Sequence, residues 1–191
     1  LAGDEATGKS YLCLSIAKEA QQKGYNIIYF DTEGSITPEV LDNVGVDYTD
    51  PSKFLLLGGS VLEEMTVFFT RLFDNLKERK KETGELAKVI VFIDSGGQLS
   101  SRKEIENAME ANFKADMTRA KAIKAFFRII NNDLNILNIP LIVTNHVYLE
   151  QGSMYPKKIL SGGTGFYYTS TAICMLSKAK DDENLVKDEF N

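Results

Sequence analysis

The sequence has little capacity for cross-links, no membrane-length apolar run and no excess of positive charge. Its two cysteines, Cys13 and Cys174, lie far apart in apolar segments, which predicts buried free thiols in a reducing compartment rather than a disulfide framework. No apolar stretch reaches the ~18 residues that a membrane-spanning helix needs, so we expect no membrane association. The net charge is −5, so any nucleic-acid binding depends on a local basic patch.

What remains is an ordinary globular composition, with 43% hydrophobic and 26% charged residues in a chain of 191. That length suits one domain with a sizeable core, and we expect a single domain over residues 1–191. The chain begins without methionine, two residues before a motif, and ends in the polar segment 178–191. From these ends we expect a piece of a longer protein, truncated at both termini.

Short apolar runs alternate with segments of helical periodicity along the whole chain. The runs typical of buried strands are 26–31, 53–57, 88–94, 140–146 and 170–177, and the helical segments are 9–23, 37–45, 61–83 and most of 104–132. This alternation predicts an α/β fold with a mainly parallel, twisted sheet flanked by helices. In such sheets, ligands bind at the carboxyl ends of the strands.

Residues 3–10, "GDEATGKS", match the phosphate-loop pattern that opens a helix in many nucleotide-binding proteins. The two glycines allow the backbone to turn its N–H groups inward, and the N-terminus of the following helix favours bound anions. A chance glycine-rich turn is the alternative. The candidate nucleotide-binding residues are Gly3, Asp4, Glu5, Ala6, Thr7, Gly8, Lys9, Ser10 and Tyr11, with Lys9 at the β- and γ-phosphates and the Ser10 hydroxyl on Mg²⁺.

Three acidic residues follow predicted buried strands. Asp94 ends the run "VIVFID", which suits a metal-anchoring acid, although capping of the next turn is the alternative. Asp31 and Glu33 follow "IIYF"; we interpret Glu33 as the base that orients water and Asp31 as its structural partner. A turn built by Asp and Gly is the alternative for both residues.

Asn145 and the single histidine, His146, end the run "PLIVTNH". Because the ends of parallel strands meet at one edge, either residue is a candidate sensor of the γ-phosphate. A purely structural histidine is the alternative.

The combination of this phosphate loop with "FDTEGSITPE", "VIVFIDS", "TNH" and "SGGTG" resembles the RecA recombinase core, in particular its bacteriophage, UvsX-like branch. The resemblance covers nearly the whole chain. It implies a RecA-like P-loop NTPase core that uses ATP and Mg²⁺ for homologous pairing and strand exchange. Lys9, Glu33 and His146 then serve in catalysis, and Ser10 and Asp94 hold the metal.

The resemblance also implies contacts with single- and double-stranded DNA, a helical filament in the full-length protein and a cytoplasmic location, in an infected bacterium if the protein is phage-encoded. Residues 100–117 align with the first DNA-binding loop of the family and residues 147–163 with the second. Aromatic and basic side chains together are typical of single-strand binding. The candidate DNA-binding residues are Arg102, Lys103, Tyr148, Met154, Tyr155, Lys157, Lys158, Gly162 and Gly163.

Two departures from the family pattern qualify this interpretation. Where many members have an adenine-stacking tyrosine, this chain has Val40, and the terminal segments of the family that contact a neighbouring subunit are absent. A hexameric helicase motor of related fold is one alternative function. A nucleotide-binding regulatory or scaffold protein with little turnover is another, and it would not depend on Glu33.

Overall fold

The computed structural model describes residues 1–110, 118–150, 152, 155, 157–163 and 165–178. This part of the chain contains eight strands and six α-helices, with a short 3-10 helix at Gly96–Gln98. The strands are β1 (Ala2–Gly3), β2 (Asn26–Asp31), β3 (Phe54–Gly58), β4 (Val89–Asp94), β5 (Leu141–Val143), β6 (Asn145–Leu149), β7 (Lys158–Leu160) and β8 (Met175–Leu176). The helices are α1 (Lys9–Gln22), α2 (Pro38–Val44), α3 (Leu62–Thr83), α4 (Arg102–Met109), α5 (Thr118–Ile136) and α6 (Gly165–Thr169).

The strands form two four-stranded ladders, in the orders β3-β2-β4-β5 and β7-β6-β1-β8. All pairings are parallel except that between β6 and β7. Only Thr144 separates β5 from β6; its N–H donates to the carbonyl of Ile93 in β4, whereas the N–H of Asn145 donates to the carbonyl of Leu1. One continuous segment therefore joins the two ladders, and the carboxyl ends of β1, β2, β4 and β6 share one edge.

Side chains on β2 alternate between two apolar clusters, so the strand is buried on both faces. Ile28 and Phe30 pack with α3 and α5, while Ile27 and Tyr29 pack with Leu14 of α1 and the residues around α2. The same alternation occurs in β4. Burial on both faces explains why these strands appear in the sequence as unbroken apolar runs, and it confirms the predicted α/β architecture.

Local sequence signals set the limits of α2. The Thr37 hydroxyl caps its start by accepting from the N–H of Val40, and Pro38 occupies the first turn, where its missing N–H costs nothing. Gly45 ends the helix at φ 82°, a conformation that favours glycine.

Three sequence predictions differ from the structure. The predicted strand 170–177 is reduced to Met175–Leu176, because its partner β1 is only two residues long before the chain turns into the phosphate loop. Cys174 is exposed rather than buried because it lies on this outer segment, whereas Cys13 is buried in α1. The predicted strand 140–146 is divided at Thr144 between the two ladders.

Among the described residues, no helix is long and apolar enough to cross a membrane. The polar segment predicted at 178–191 lies outside the described residues except for Lys178.

Candidate active site

The phosphate loop connects β1 to α1 through tightly constrained backbone. A Cβ on Gly3 would lie 2.5 Å from the carbonyl oxygen of Leu176 and 2.8 Å from Oγ1 of Thr7, so only glycine fits there. Gly8 has φ 83° and precedes α1, and no side chain caps that helix. The first N–H groups of α1 are therefore available to an anion.

The Lys9 side chain folds back across this loop. Its ammonium donates to the carbonyl oxygens of Gly3 (3.0 Å) and Asp4 (2.7 Å), and the residue is buried. The positive charge is thus held inside the loop, at the position that the phosphate-loop pattern predicts.

A cavity of about 450 Å³ opens at this edge, within the ~300–1,000 Å³ range of small-molecule sites. The phosphate loop forms one wall and the ends of β2, β4 and β6 form the other. The lining residues are Glu5, Ala6, Thr7, Gly8, Lys9, Ser10, Tyr11, Glu33, Asp94, Ser95, Gln98 and His146. Most of the candidate nucleotide residues, all three candidate catalytic residues and both candidate metal ligands therefore meet in one cavity.

The Glu33 carboxylate is bonded from two directions at the cavity wall. Its Oε1 accepts a hydrogen bond from the Ser95 hydroxyl at 2.6 Å and lies 3.1 Å from Nε2 of His146. An ionised carboxylate only accepts hydrogen bonds, so Nε2 of His146 is the donor. Partial burial raises the pKa of Glu33, but the bonds from Ser95 and His146 and the Lys9 charge outweigh it, so the pKa lies below its ordinary value. Glu33 is therefore ionised at neutral pH.

Asp31 is buried beneath Glu33 and shapes its loop. Its Oδ1 accepts from the N–H groups of Glu33 and Ser35, each at 3.2 Å, and its Oδ2 accepts from that of Ile36 at 2.8 Å. These bonds fit the structural role predicted for Asp31.

Asp94 is buried at the end of β4. Its Oδ2 accepts from the Tyr29 hydroxyl at 2.7 Å, and its Oδ1 accepts from the Thr144 hydroxyl. Burial, together with the Asp94 charge, raises the pKa of Tyr29 far above its ordinary value, so the phenol stays protonated as a donor.

The residues at this edge fit Mg²⁺ only when a nucleotide brings phosphate oxygens. No group of three or more His, Cys, Asp or Glu side chains suited to a metal ion occurs among the described residues. Mg²⁺ in nucleotide sites commonly takes one or two protein oxygens together with phosphates and water. Ser10 and Asp94, which both line the cavity, match that donor set.

Asn145 and His146 have different surroundings, although they are adjacent. Asn145 is 3% exposed; its Nδ2 donates to the carbonyl of Ser161 at 2.8 Å and its Oδ1 accepts from the N–H of His146. His146 reaches Glu33 instead. Asn145 therefore holds together the two ends of the segment 147–160, through its bond to Ser161, while His146 connects the start of that segment to the cavity.

The segment predicted as the second DNA-binding loop begins and ends as an antiparallel hairpin of β6 and β7, with Val147 opposite Leu160. The Lys158 ammonium lies 2.6 Å from Oδ2 of Asp4, which lowers the pKa of Asp4 and joins the hairpin to the phosphate loop. Several predicted DNA-binding side chains are exposed on this hairpin, namely Tyr148, Tyr155, Lys157 and Lys158. Met154 lies outside the described residues.

Known proteins that are similar to this chain include a phage recombination and repair protein and bacterial proteins named RecA. The chain is 34% identical over 194 residues to the recombination and repair protein of Enterobacteria phage T4, an alignment that covers the whole chain and 47% of that protein. It is 25% identical to Protein RecA of Malacoplasma penetrans, over 88% of this chain and 47% of that protein. The chain belongs to the RecA recombinase family.

A second bacterial relative of this RecA-family chain, Protein RecA of Pseudomonas putida, is 25% identical over 90% of the chain and 44% of its own length. The chain thus spans about half the length of the curated relatives it matches. No protein-family model matches it. Its identity to the phage protein exceeds that to these bacterial proteins, in agreement with the predicted phage-like branch.

The first predicted DNA-binding segment lies apart from the nucleotide cavity of this RecA-family chain. The Arg102 guanidinium lies 3.3 Å from Oε1 of Glu64, and its backbone N–H donates to Glu63, both at the start of α3. Arg102 therefore lines a separate groove with acidic neighbours. Lys103 is exposed beside it, and residues 111–117 lie outside the described part.

The glycine-rich end of the second segment is packed. Gly162 and Gly163 have φ near 80°, and a Cβ on Gly162 would lie 2.9 Å from the Phe166 ring. Phe166 is buried in the core, whereas the neighbouring Tyr167 and Tyr168 are exposed. Helix α6 turns only one of its three aromatic rings inward.

Val40 packs partly buried against the α1–α2 cluster rather than in the cavity. Tyr11, 67% exposed, is the aromatic residue among those that line the cavity.

Sequence reasoning did not single out Ser95, Thr32 or Thr144, which hold Glu33 and Asp94 in place. Thr32 and Ser95 directly follow predicted strands, and Thr144 lies where the predicted strand 140–146 is divided. A polar residue at a strand end is therefore the sequence feature that could have indicated them. The hydrogen bonds themselves depend on which strands lie side by side.

Proposed function

We propose that this chain is the ATPase core of a DNA recombinase, a single RecA-like domain over residues 1–191. It binds ATP with Mg²⁺, binds single-stranded DNA and catalyses homologous pairing and strand exchange coupled to hydrolysis. The observation that carries the proposal is the hydrogen bond between Glu33, at the nucleotide cavity, and His146, at the root of the β6–β7 hairpin. This bond supports the proposal because it links the candidate base to the candidate DNA-binding hairpin.

The phosphate loop supplies the groups that bind the triphosphate. The free N–H groups at the start of α1 donate hydrogen bonds to the anionic oxygens, and Lys9 exchanges its carbonyl partners for the β- and γ-phosphates. Ser10 and Asp94 would hold Mg²⁺, which would neutralise charge on the phosphates.

Glu33 acts as the base. Its lowered pKa keeps it ionised at neutral pH, so it accepts a hydrogen bond from the attacking water and orients it. His146, which now donates to Glu33, is in reach of the same cavity and senses the γ-phosphate. A change of partner by His146 would move the start of β6 and therefore the hairpin.

The hairpin supplies the DNA surface. Tyr148 and Tyr155 are 50% and 80% exposed, and the exposed Lys157 and Lys158 lie beside them. Flat side chains for base stacking and cations for the backbone are the two elements of single-strand binding. Double-stranded DNA and neighbouring copies in a helical filament complete the proposed partners.

The test uses two substitutions in the full-length protein. Lys9→Ala should abolish ATP binding measured by calorimetry. Glu33→Gln should keep ATP-dependent binding to single-stranded DNA while the rate of ATP hydrolysis falls by roughly 10²–10⁴, the usual contribution of a general base. Equal hydrolysis by Glu33→Gln would remove Glu33 as the base, and equally low hydrolysis by both proteins would support a regulatory or scaffold protein instead.

Electron microscopy separates the recombinase from a helicase motor, since both use a phosphate loop and a base. With an ATP analogue and single-stranded DNA, the full-length protein should form open helical filaments. Closed hexameric rings would support the helicase.

A further inference from the structure

Ser95 is anchored where two central strands end. Asp31 of β2 and Asp94 of β4 are register partners, and the contacts continue one residue further. The Ser95 N–H donates to Oγ1 of Thr32 at 2.7 Å, and that hydroxyl donates to the Ser95 carbonyl at 2.9 Å. Both the N–H and the carbonyl of Ser95 are therefore hydrogen-bonded. The residue is also buried, with 1% of its surface exposed, so the position of its hydroxyl is well defined.

Both bonds to the Glu33 side chain go to the same oxygen. Ser95 donates to Oε1 at 2.6 Å, and His146 lies 3.1 Å from Oε1. Among the described residues, none donates to Oε2. Clamping one oxygen from two sides fixes the rotation of the carboxylate and leaves the other oxygen for water.

The two donors differ in how firmly they are held. Ser95 is buried between strand ends, whereas the His146 side chain is 34% exposed at the root of the hairpin. If His146 turns toward the γ-phosphate, Ser95 is the donor that stays.

We propose that Ser95 is a positioning residue for ATP hydrolysis. Its hydroxyl fixes Oε1 of Glu33 so that Oε2 faces the attacking water, and it does so after His146 has moved to the nucleotide. This inference rests on the proposed role of Glu33 as the base, and it adds that the Ser95 hydroxyl orients the Glu33 carboxylate.

The first test is the kinetic effect of Ser95→Ala in the full-length protein. A hydrogen bond to a charged group makes a large contribution, so kcat for DNA-stimulated ATP hydrolysis should fall about 10- to 100-fold. The KM for ATP should be unchanged, because Ser95 does not belong to the phosphate loop. Ser35→Ala, an exposed serine on the Glu33 loop, is the matched control and should keep wild-type kcat.

The pH profile distinguishes positioning from a general loss of structure. Activity requires ionised Glu33 and is lost as the pH falls through its pKa. Without the Ser95 hydroxyl, burial is less well offset and the pKa of Glu33 rises, so the acidic limb of kcat should move to higher pH. Ser95→Thr, which keeps a hydroxyl, should return the limb toward its wild-type position.

Ser95→Cys provides a nearly isosteric variant with a weaker donor, should the alanine variant fold poorly. It should show the same direction of change in kcat and in the acidic limb. If Glu33→Gln abolishes turnover but neither Ser95 variant changes kcat or the acidic limb, the inference is wrong and the proposed function stands. If Glu33→Gln retains full turnover, the proposed function itself fails.

Discussion

Replacing Asp31 by Asn tests how the buried Asp31 carboxylate supports the loop that carries Glu33. In the native protein, Oδ1 of Asp31 serves the N–H groups of Glu33 and Ser35, and Oδ2 serves that of Ile36. Asparagine has the same shape but only one carbonyl oxygen. Whichever way its amide is turned, its NH₂ group faces at least one backbone N–H.

The better orientation keeps the two bonds on Oδ1 and loses the third. The Ile36 bond is the shortest of the three, at 2.8 Å, and the only one of them that is buried. A buried donor left without an acceptor costs about 1–3 kcal/mol. We therefore expect Asp31→Asn to lower the free energy of unfolding by about 2 kcal/mol. The kcat for ATP hydrolysis should also fall, because Glu33 lies on the loosened loop.

Denaturant titration of the full-length protein measures the first effect and steady-state hydrolysis the second. Asp50→Asn is the matched control: Oδ1 of Asp50 alone accepts both bonds from Ser52 in an exposed turn, and an asparagine oxygen can keep them. It should change neither quantity. Equal stability of Asp31→Asn and wild type would refute the claim that these bonds hold the loop.

Two further predictions concern the core and the thiols. Phe69→Ala should lower the free energy of unfolding by about 3–5 kcal/mol, because the fully buried ring packs on neighbouring aromatic rings. Val67→Ala, on the exposed side of α3, is the control and should change the free energy of unfolding by less than about 0.5 kcal/mol. Equal effects of the two variants in denaturant titration would contradict this packing. Cys174 should react with a thiol reagent in the native protein, because it is exposed. Cys13 should react only after unfolding, since burial raises its pKa to about 12. Rapid labelling of both thiols in the native protein, measured by mass spectrometry, would contradict the burial of Cys13.

Local signals predicted most of the fold accurately. Strand 26–31 was predicted at its observed position, and the predicted helical segment 37–45 contains α2, because apolar runs and helical periodicity are patterns within a few neighbouring residues. Cys174 and the strand at 170–177 were predicted less well. Both depend on how much sheet lies beside them, and the two-residue length of β1 is a tertiary property.

In the candidate site, too, local patterns predicted the individual residues but not the contacts between them. The phosphate-loop pattern placed Lys9 and Ser10, and the general rule for strand ends brought Glu33, Asp94 and His146 to one edge. It did not predict that Asp4 pairs with Lys158, nor that Ser95 donates to Glu33. Those contacts require particular strands to be neighbours in a particular register.

The sequence by itself therefore determined the class of fold, the phosphate loop and the acids and histidine at strand ends, because each is a pattern within one short segment. Only the tertiary structure decided that His146 rather than Asn145 reaches the Glu33 carboxylate, and that Ser95 donates to the same oxygen. The reason is physical: β2 pairs with β4 while β6 lies beside β1, so groups 62 and 113 residues apart meet on one carboxylate oxygen. Separation along the chain carries no information about such a meeting until the sheet order is known.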